Sequence, residues 1–362
     1  MNNELRIKLE RVRALMKNEA LDGIYIKGQD NFAWLTCGGR NYVGMGAVGN
    51  CGLLVTADSL YAITNNIEAP RMINEEKLEE LGFKVLFGLW HDNGFEKRTL
   101  DELIPSKKLG LDTSGDISKK LQLLRFSLTV EEVERYQEIG KDASTCMEES
   151  AMEIKVGMSE YEIAGIIMGK MEAKGLEILS CMVAADERIS LYRHALPTSK
   201  KVERRVQIGG NFRRNGLVIC LTRYVWFYEP TEKEKKQYYD NQVIDCTYMA
   251  ASRPGESFVS ALEKGKAKYT ELGYDGEFDK HHQGGPIGYQ GRDYRVGFDT
   301  PGLIAENQAF CWNPSITGTK SEDTVIAAKD KIIPVTRPVL FPETTIKVGD
   351  FTFTRPGILV RK

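Results

Sequence analysis

Histidine is scarce in this chain, with four residues in 362, two of them adjacent at His281 and His282. Long apolar runs are missing as well. None approaches the ~18 residues that a membrane-spanning helix needs, and the amino-terminal stretch MNNELRIKLERVRALMK is charged and amphipathic, without the apolar core of a secretory signal. Both absences point to a cytoplasmic protein with no membrane partner. Neither sign of charge dominates: 49 Lys+Arg stand against 51 Asp+Glu, a net charge of −2. Such a balance offers no broad field for gathering nucleic acid or an anionic surface. The seven cysteines (37, 51, 146, 181, 220, 246, 311) form an odd set without a CxxC pair. That excludes a disulfide framework and a thiolate zinc site, leaving buried free thiols as the expectation.

What is present is an ordinary globular composition, 42% hydrophobic and 28% charged. The length exceeds the usual size of one hydrophobic core, so more than one domain is expected. Leu5, Leu9, Val12 and Leu15/Met16 recur at helical spacing, and DGIYIK then reads as a turn into a buried strand. Further strands are predicted at CGLLV (51–55), LYAIT (60–64), FKVLFG (83–88) and LGLD (109–112), with a helical stretch over 66–82. The pattern is that of an α/β domain over residues 1–125.

From residue 126 the reading changes. Thr129 with Glu132, Ser159 with Glu162 and Thr231 with Glu234 each form a capping-box pattern, predicting three helices, the last ending before the breaker RPG at 253–255. RRVQIGGNFRRNGLVICLTRYVWFYEP has the aromatic and β-branched content of two strands turning at Gly216, and NQAFCWNPSI and DTVIAA read as later strands. These place an α+β domain over 126–335. Prolines 334, 338, 342 and 356 confine the tail from Lys331 to Lys362 to edge strand and turn, with 336–362 expected as a carboxy-terminal β extension.

Four polar clusters fall on predicted strand ends or turns: RISLYRH (188–194), LTR (221–223), HHQGGPIGYQGRD (281–293) and WNPSITGTKSEDT (312–324). Loops on a rigid scaffold are where binding residues concentrate. Each cluster alone has a plain structural reading: His194 as a satisfied histidine, Arg223 or Arg292 as a solvated or paired cation, Gly284-Gly285 as a turn. Cys220 in LVICL can be read as a nucleophile but fits better as a buried strand residue.

Together, in this order, the isolated histidine, the strand pair ending in TR, the HxxGxxIG turn, the proline-bearing strand and EDT resemble the Xaa-Pro peptidase, methionine aminopeptidase and creatinase family. The resemblance runs to about residue 335 and implies a pita-bread fold for the second domain. It also implies a two-metal site, and here the chain departs from the family. The two aspartate positions fall on Gly209 and Cys220, the histidine on Gly285, the first glutamate on Asn313, and only Glu322 keeps its identity. One carboxylate with a thiol and an amide is a poor set for hard divalent ions, so no metal and no other cofactor is expected.

Creatinase, as the informative relative, lacks the metal ligands too, and its YYGRE resembles YQGRD here. On that likeness His194 is the candidate acid/base, His281 and His282 are second acid/base or oxyanion donors, and Glu322 orients a histidine. Arg292 is the candidate carboxylate anchor, because its planar fork pairs bidentately with a carboxylate. Arg193, Arg223, Gln283, Tyr289 and Asn313 are the other candidate substrate contacts. The function expected is metal-independent hydrolysis of an amide- or amidine-type C–N bond in a small carboxylate-bearing molecule. The alternatives are a non-catalytic peptide- or protein-binding module and a metal-dependent Xaa-Pro peptidase acting on short peptides. A homodimer is expected by analogy alone.

Overall fold

Leu5, Leu9, Val12, Leu15 and Met16 are buried on one stripe of the first helix, as their spacing requires. In the computed structural model, which describes residues 2–44 and 46–361, the amino-terminal unit takes in the chain up to Glu132 together with Asn215–Leu217. Its elements are α1 (Asn3–Asn18), β1 (Gly23–Gly28), α2 (Gln29–Leu35), β2 (Val48–Thr56), β3 (Leu60–Asn65), α3 (Ala69–Asn74), β4 (Lys84–Gly88), α4 (Phe95–Leu103), β5 (Leu109–Leu111) and α5 (Gly115–Leu124). The strands form one mixed sheet in the order β4-β3-β2-β1-β5. Only α3 survives of the helical stretch predicted over 66–82. The chain leaves helical geometry at Lys77 and again at Gly82, both with positive φ.

The second unit comprises Val133–Arg214 and the chain from Val218 on. The first break between the units therefore lies seven residues beyond the expected 125. The helices are α6 (Val130–Glu153), α7 (Glu160–Ala173), α8 (Arg188–Leu191), α9 (Glu232–Ala251) and α10 (Phe258–Glu271). All three capping boxes form: Thr129 and Glu132 exchange backbone-to-side-chain bonds of 2.8 and 3.3 Å, and Ser159/Glu162 and Thr231/Glu234 do likewise. The strands are β6 (Glu177–Ala185), β7 (Arg205–Arg214), β8 (Leu217–Trp226), β9 (Gly284–Pro286), β10 (Gln308–Trp312), β11 (Ser315–Ile316), β12 (Thr319–Lys320), β13 (Asp323–Ala327), β14 (Ile332–Pro334), β15 (Glu343–Val348), β16 (Phe351–Pro356) and β17 (Leu359–Val360). Asn215 and Gly216, both at positive φ, make the two-residue turn between β7 and β8.

Two four-stranded sheets, β17-β8-β7-β6 and β14-β13-β10-β9, carry the site. They are joined at their middles, where the Thr222 N–H donates to Glu322 O at 3.1 Å and Thr324 Oγ1 bridges both backbone groups of Cys220. The carboxy-terminal extension is not a separate body. Its β17 runs parallel to β8, and Arg355 of β16 pairs with buried Asp245 and Asp323.

Candidate functional site

Three histidines converge. His194 lies in the loop after α8, while His281 and His282 lead from a short 3₁₀ turn (Phe278–Lys280) into β9. His194 Nε2 and His281 Nε2 are 3.1 Å apart, and the ring of His282 stacks on that of His194 with centroids 5.5 Å apart. One nitrogen from each of the three lies within 4.8 Å of the others. His281 is buried and its Nδ1 is 3.3 Å from Ser315 Oγ, whereas His194 is exposed to solvent.

The surroundings keep these rings uncharged. Burial, with Lys320 as the first charged contributor, lowers the pKa of His281 to about 2, and burial followed by Arg292 lowers that of His282 to about 4. His194 is lowered in the same direction by burial and then Lys320. Positive charge added to an imidazole next to other cations is disfavoured.

Glu322 lies immediately before β13, 2% exposed. Its Oε2 is 2.7 Å from Lys320 Nζ and accepts the Thr222 hydroxyl at 2.7 Å, and its Oε1 is 3.5 Å from Arg292 Nη2. Burial raises a carboxyl pKa, but here Lys320 and Arg292 outweigh it and hold Glu322 below the usual carboxylate range. Glu322 hydrogen-bonds none of the histidines, although its charge acts on His194, which corrects the expectation that it orients one. Ser315 is the side chain that partners His281.

The family's metal positions can now be tested for room. A Cβ added at Gly209 would lie 2.7 Å from Thr222 Oγ1 and 2.8 Å from Leu221 O, and one at Gly285 would lie 2.7 Å from Val296 and 2.8 Å from Tyr294 O. Neither place accepts a ligand side chain. Cys220, Cys311 and Glu322 are close enough together to hold an ion. Yet burial pushes the Cys311 thiol up, the Arg292 guanidinium lies 3.9 Å from Cys220 Sγ, and both oxygens of Glu322 face cations. The residues present do not fit a two-metal cluster: two protein cations stand around the one surviving acidic ligand.

Arg223 is a second correction. It is fully buried, with Nε 2.8 Å from Glu148 Oε1 and Nη1 3.0 Å from Asp323 Oδ1, and Glu148 also accepts the N–H groups of Val339, Leu340 and Phe341. This guanidinium ties β8 to α6, β13 and the tail and cannot reach a substrate. Gln283 is likewise turned inward, accepting the hydroxyls of Tyr248 and Tyr269 and donating to the carbonyls of Phe278 and His281. It holds the histidine turn in place. Tyr289 is buried in the loop after β9. Arg193 pairs with Glu277 at 3.2 Å and donates to Thr317. Asn313 follows β10 with a buried Oδ1 that has no partner, so it keeps acceptor capacity for a ligand. Three residues that the sequence reading missed belong here: Lys320, Ser315, and exposed Arg295, which adds positive charge at His194 and His282.

The model of metallopeptidase family M24 matches residues 134–332. The chain belongs to that family. An uncharacterized peptidase of Bacillus subtilis, YqhT, is 21% identical over 90% of this chain and 96% of its own length. A Lactobacillus helveticus Xaa-Pro dipeptidase is 24% identical over 60% of this chain and 61% of its own length. Among solved structures, a Xaa-Pro dipeptidase from Bacillus anthracis superposes with a TM-score of 0.76 at 18% identity, covering 99% of this chain and 100% of that one. The M24 assignment makes this protein a hydrolase with the pita-bread fold behind an α/β domain, as the resemblance implied. No helix among the described residues is long and apolar enough to cross a membrane.

Proposed function

We propose that this M24 protein hydrolyses a C–N bond of the amide or amidine type in a small carboxylate-bearing molecule without a metal ion. The observation that carries the reading is the pair Lys320–Glu322, completed by Arg292: protein cations face the one acidic ligand position that remains. Beside it stand three imidazoles held neutral near pH 7, the protonation state that a general base needs.

In this mechanism solvent-exposed His194 takes a proton from water as the water oxygen bonds to the scissile carbon. His281, one hydrogen bond away at 3.1 Å and held neutral, orients the His194 ring through the shared Nε2 contact. The C–N bond then breaks and the proton held by His194 passes to the leaving nitrogen, so none is gained or lost. Arg292 and Arg295 supply positive charge for the substrate carboxylate, and Asn313 offers a free acceptor to the departing amine or guanidine end. The dimer expected by analogy and the cytoplasmic location expected from the sequence remain part of this proposal.

One observation favours a second reading. The sequence similarity to a Xaa-Pro dipeptidase favours a metal-dependent peptidase with a dipeptide ending in proline as the substrate. Assays of chelator-treated protein on guanidino, carbamoyl and N-acyl amino acids and on Xaa-Pro dipeptides separate the two. Turnover of a small acid in chelator supports the metal-independent hydrolase, and turnover of a dipeptide that needs added manganese overturns it.

A further inference from the structure

The three histidines meet the requirements of a site that the family's metal pattern does not contain. Two imidazole nitrogens bound to one tetrahedral zinc ion at about 2.0–2.1 Å stand about 3.4 Å apart. His194 Nε2 and His281 Nε2 are already at 3.1 Å, and a His282 nitrogen lies within 4.8 Å of both. We propose that His194, His281 and His282 together bind one late first-row transition metal ion, of the zinc, nickel or copper class, at a position separate from Glu322.

Three further features support the site. Neutral imidazole is the form that coordinates metal, and nitrogen-only donors select zinc, copper and nickel over magnesium, calcium or manganese. His281 has an outer partner in Ser315 Oγ at 3.3 Å, the arrangement that fixes the tautomer and direction of a metal-binding ring. His282 Nδ1 is buried with no hydrogen-bond partner, so its ring carries an uncommitted polar atom. His194 faces solvent and leaves an open coordination position for water or an anion.

Charge sets the strength. Lys320 and Arg292 share the single carboxylate of Glu322, and Arg193 pairs with Glu277, so the trio faces a net positive charge to which Arg295 adds and which opposes a bound cation. Binding is therefore moderate. On the metal-independent reading above, a bound ion takes the lone pairs of the base and inhibits hydrolysis.

The test uses calorimetric titration of the chelator-stripped full chain with zinc, without substrate, and the absorption spectrum of the cobalt-loaded protein. One equivalent of zinc should bind; His282→Ala and His281→Ala should each weaken it about tenfold or more, while Cys311→Ser should leave it unchanged. The cobalt spectrum of the wild-type protein should show tetrahedral d–d bands with no thiolate charge-transfer band, which decides the matter even if a histidine variant fails to fold. Absence of zinc binding, binding as tight in folded His282→Ala as in the wild type, or a thiolate band lost in Cys311→Ser would overturn the assignment. None of these readouts involves turnover, so failure here is distinguishable from failure of the hydrolase proposal, which would show as no hydrolysis in chelator.

Discussion

Lys320 holds its ammonium 2.7 Å from Glu322 Oε2, and both side chains are almost fully buried, 4% and 2% exposed. A lysine on a two-residue strand thereby neutralises the one acidic residue that the family resemblance aligned with a metal ligand. Removing one partner of a buried ion pair leaves an uncompensated charge and costs about 3–5 kcal/mol. Lys320→Met should therefore lower the unfolding free energy by that order, read as a lower urea midpoint, and Lys320→Met/Glu322→Gln should recover much of the loss. Equal destabilisation in both variants would mean that the pair is not coupled.

The same lysine acts on the histidines. Its charge lowers the pKa of His194 and His281, so its removal raises them. The acid limb of kcat/KM in the wild-type protein should lie below pH 6.5, the ordinary imidazole value. In Lys320→Met it should move to higher pH. An acid limb at or above pH 6.5 in the wild type, or one that stays in place in the variant, would contradict the assignment of the base.

Stability should carry the signature of buried neutral histidines. The folded-state pKa values of His281 and His282, about 2 and about 4, lie below the unfolded value of 6.5. Their contribution is thus fully present above pH 6.5 and is lost as pH falls from there towards the folded values, at up to about 1.4 kcal/mol per pH unit for each ring. His281→Asn and His282→Asn should flatten the decline of unfolding free energy between pH 6.5 and pH 4, measured against the wild type. Parallel curves would refute it.

His194→Ala should lower kcat by about 10²–10⁴, the range of a general base, with little change in melting temperature because the ring is exposed. Arg223→Met should do the reverse kind of damage: loss of the folded state through unpaired Glu148 and Asp323, measured by thermal unfolding. A folded Arg223→Met protein with only a raised KM would reinstate Arg223 as a substrate contact.

Much of this architecture was readable because local chemistry dictates it. Three capping boxes, the Asn215-Gly216 turn and the continuous apolar run of β8 are each written within a few residues. The helix read over 66–82 shrank because positive-φ positions at Lys77 and Gly82 interrupt it, and α10 was passed over although Ser257 caps it. At the site, the convergence of His194 with His281 and His282 spans 87 residues of separation and was legible only through the family resemblance. Nothing local distinguishes Arg223, locked between Glu148 and Asp323, from Arg292, since the partner of a guanidinium is chosen by tertiary packing. Lys320 did leave a signal: two residues before Glu322 in an extended segment, it shares that residue's face.

The most direct test of metal-independent hydrolysis is the activity of chelator-treated protein on a panel of guanidino, carbamoyl and N-acyl amino acids and Xaa-Pro dipeptides, each with and without added manganese. The account predicts turnover of one small acid in chelator at a rate that manganese does not raise. Hydrolysis confined to Xaa-Pro dipeptides and appearing only when manganese is added would contradict it.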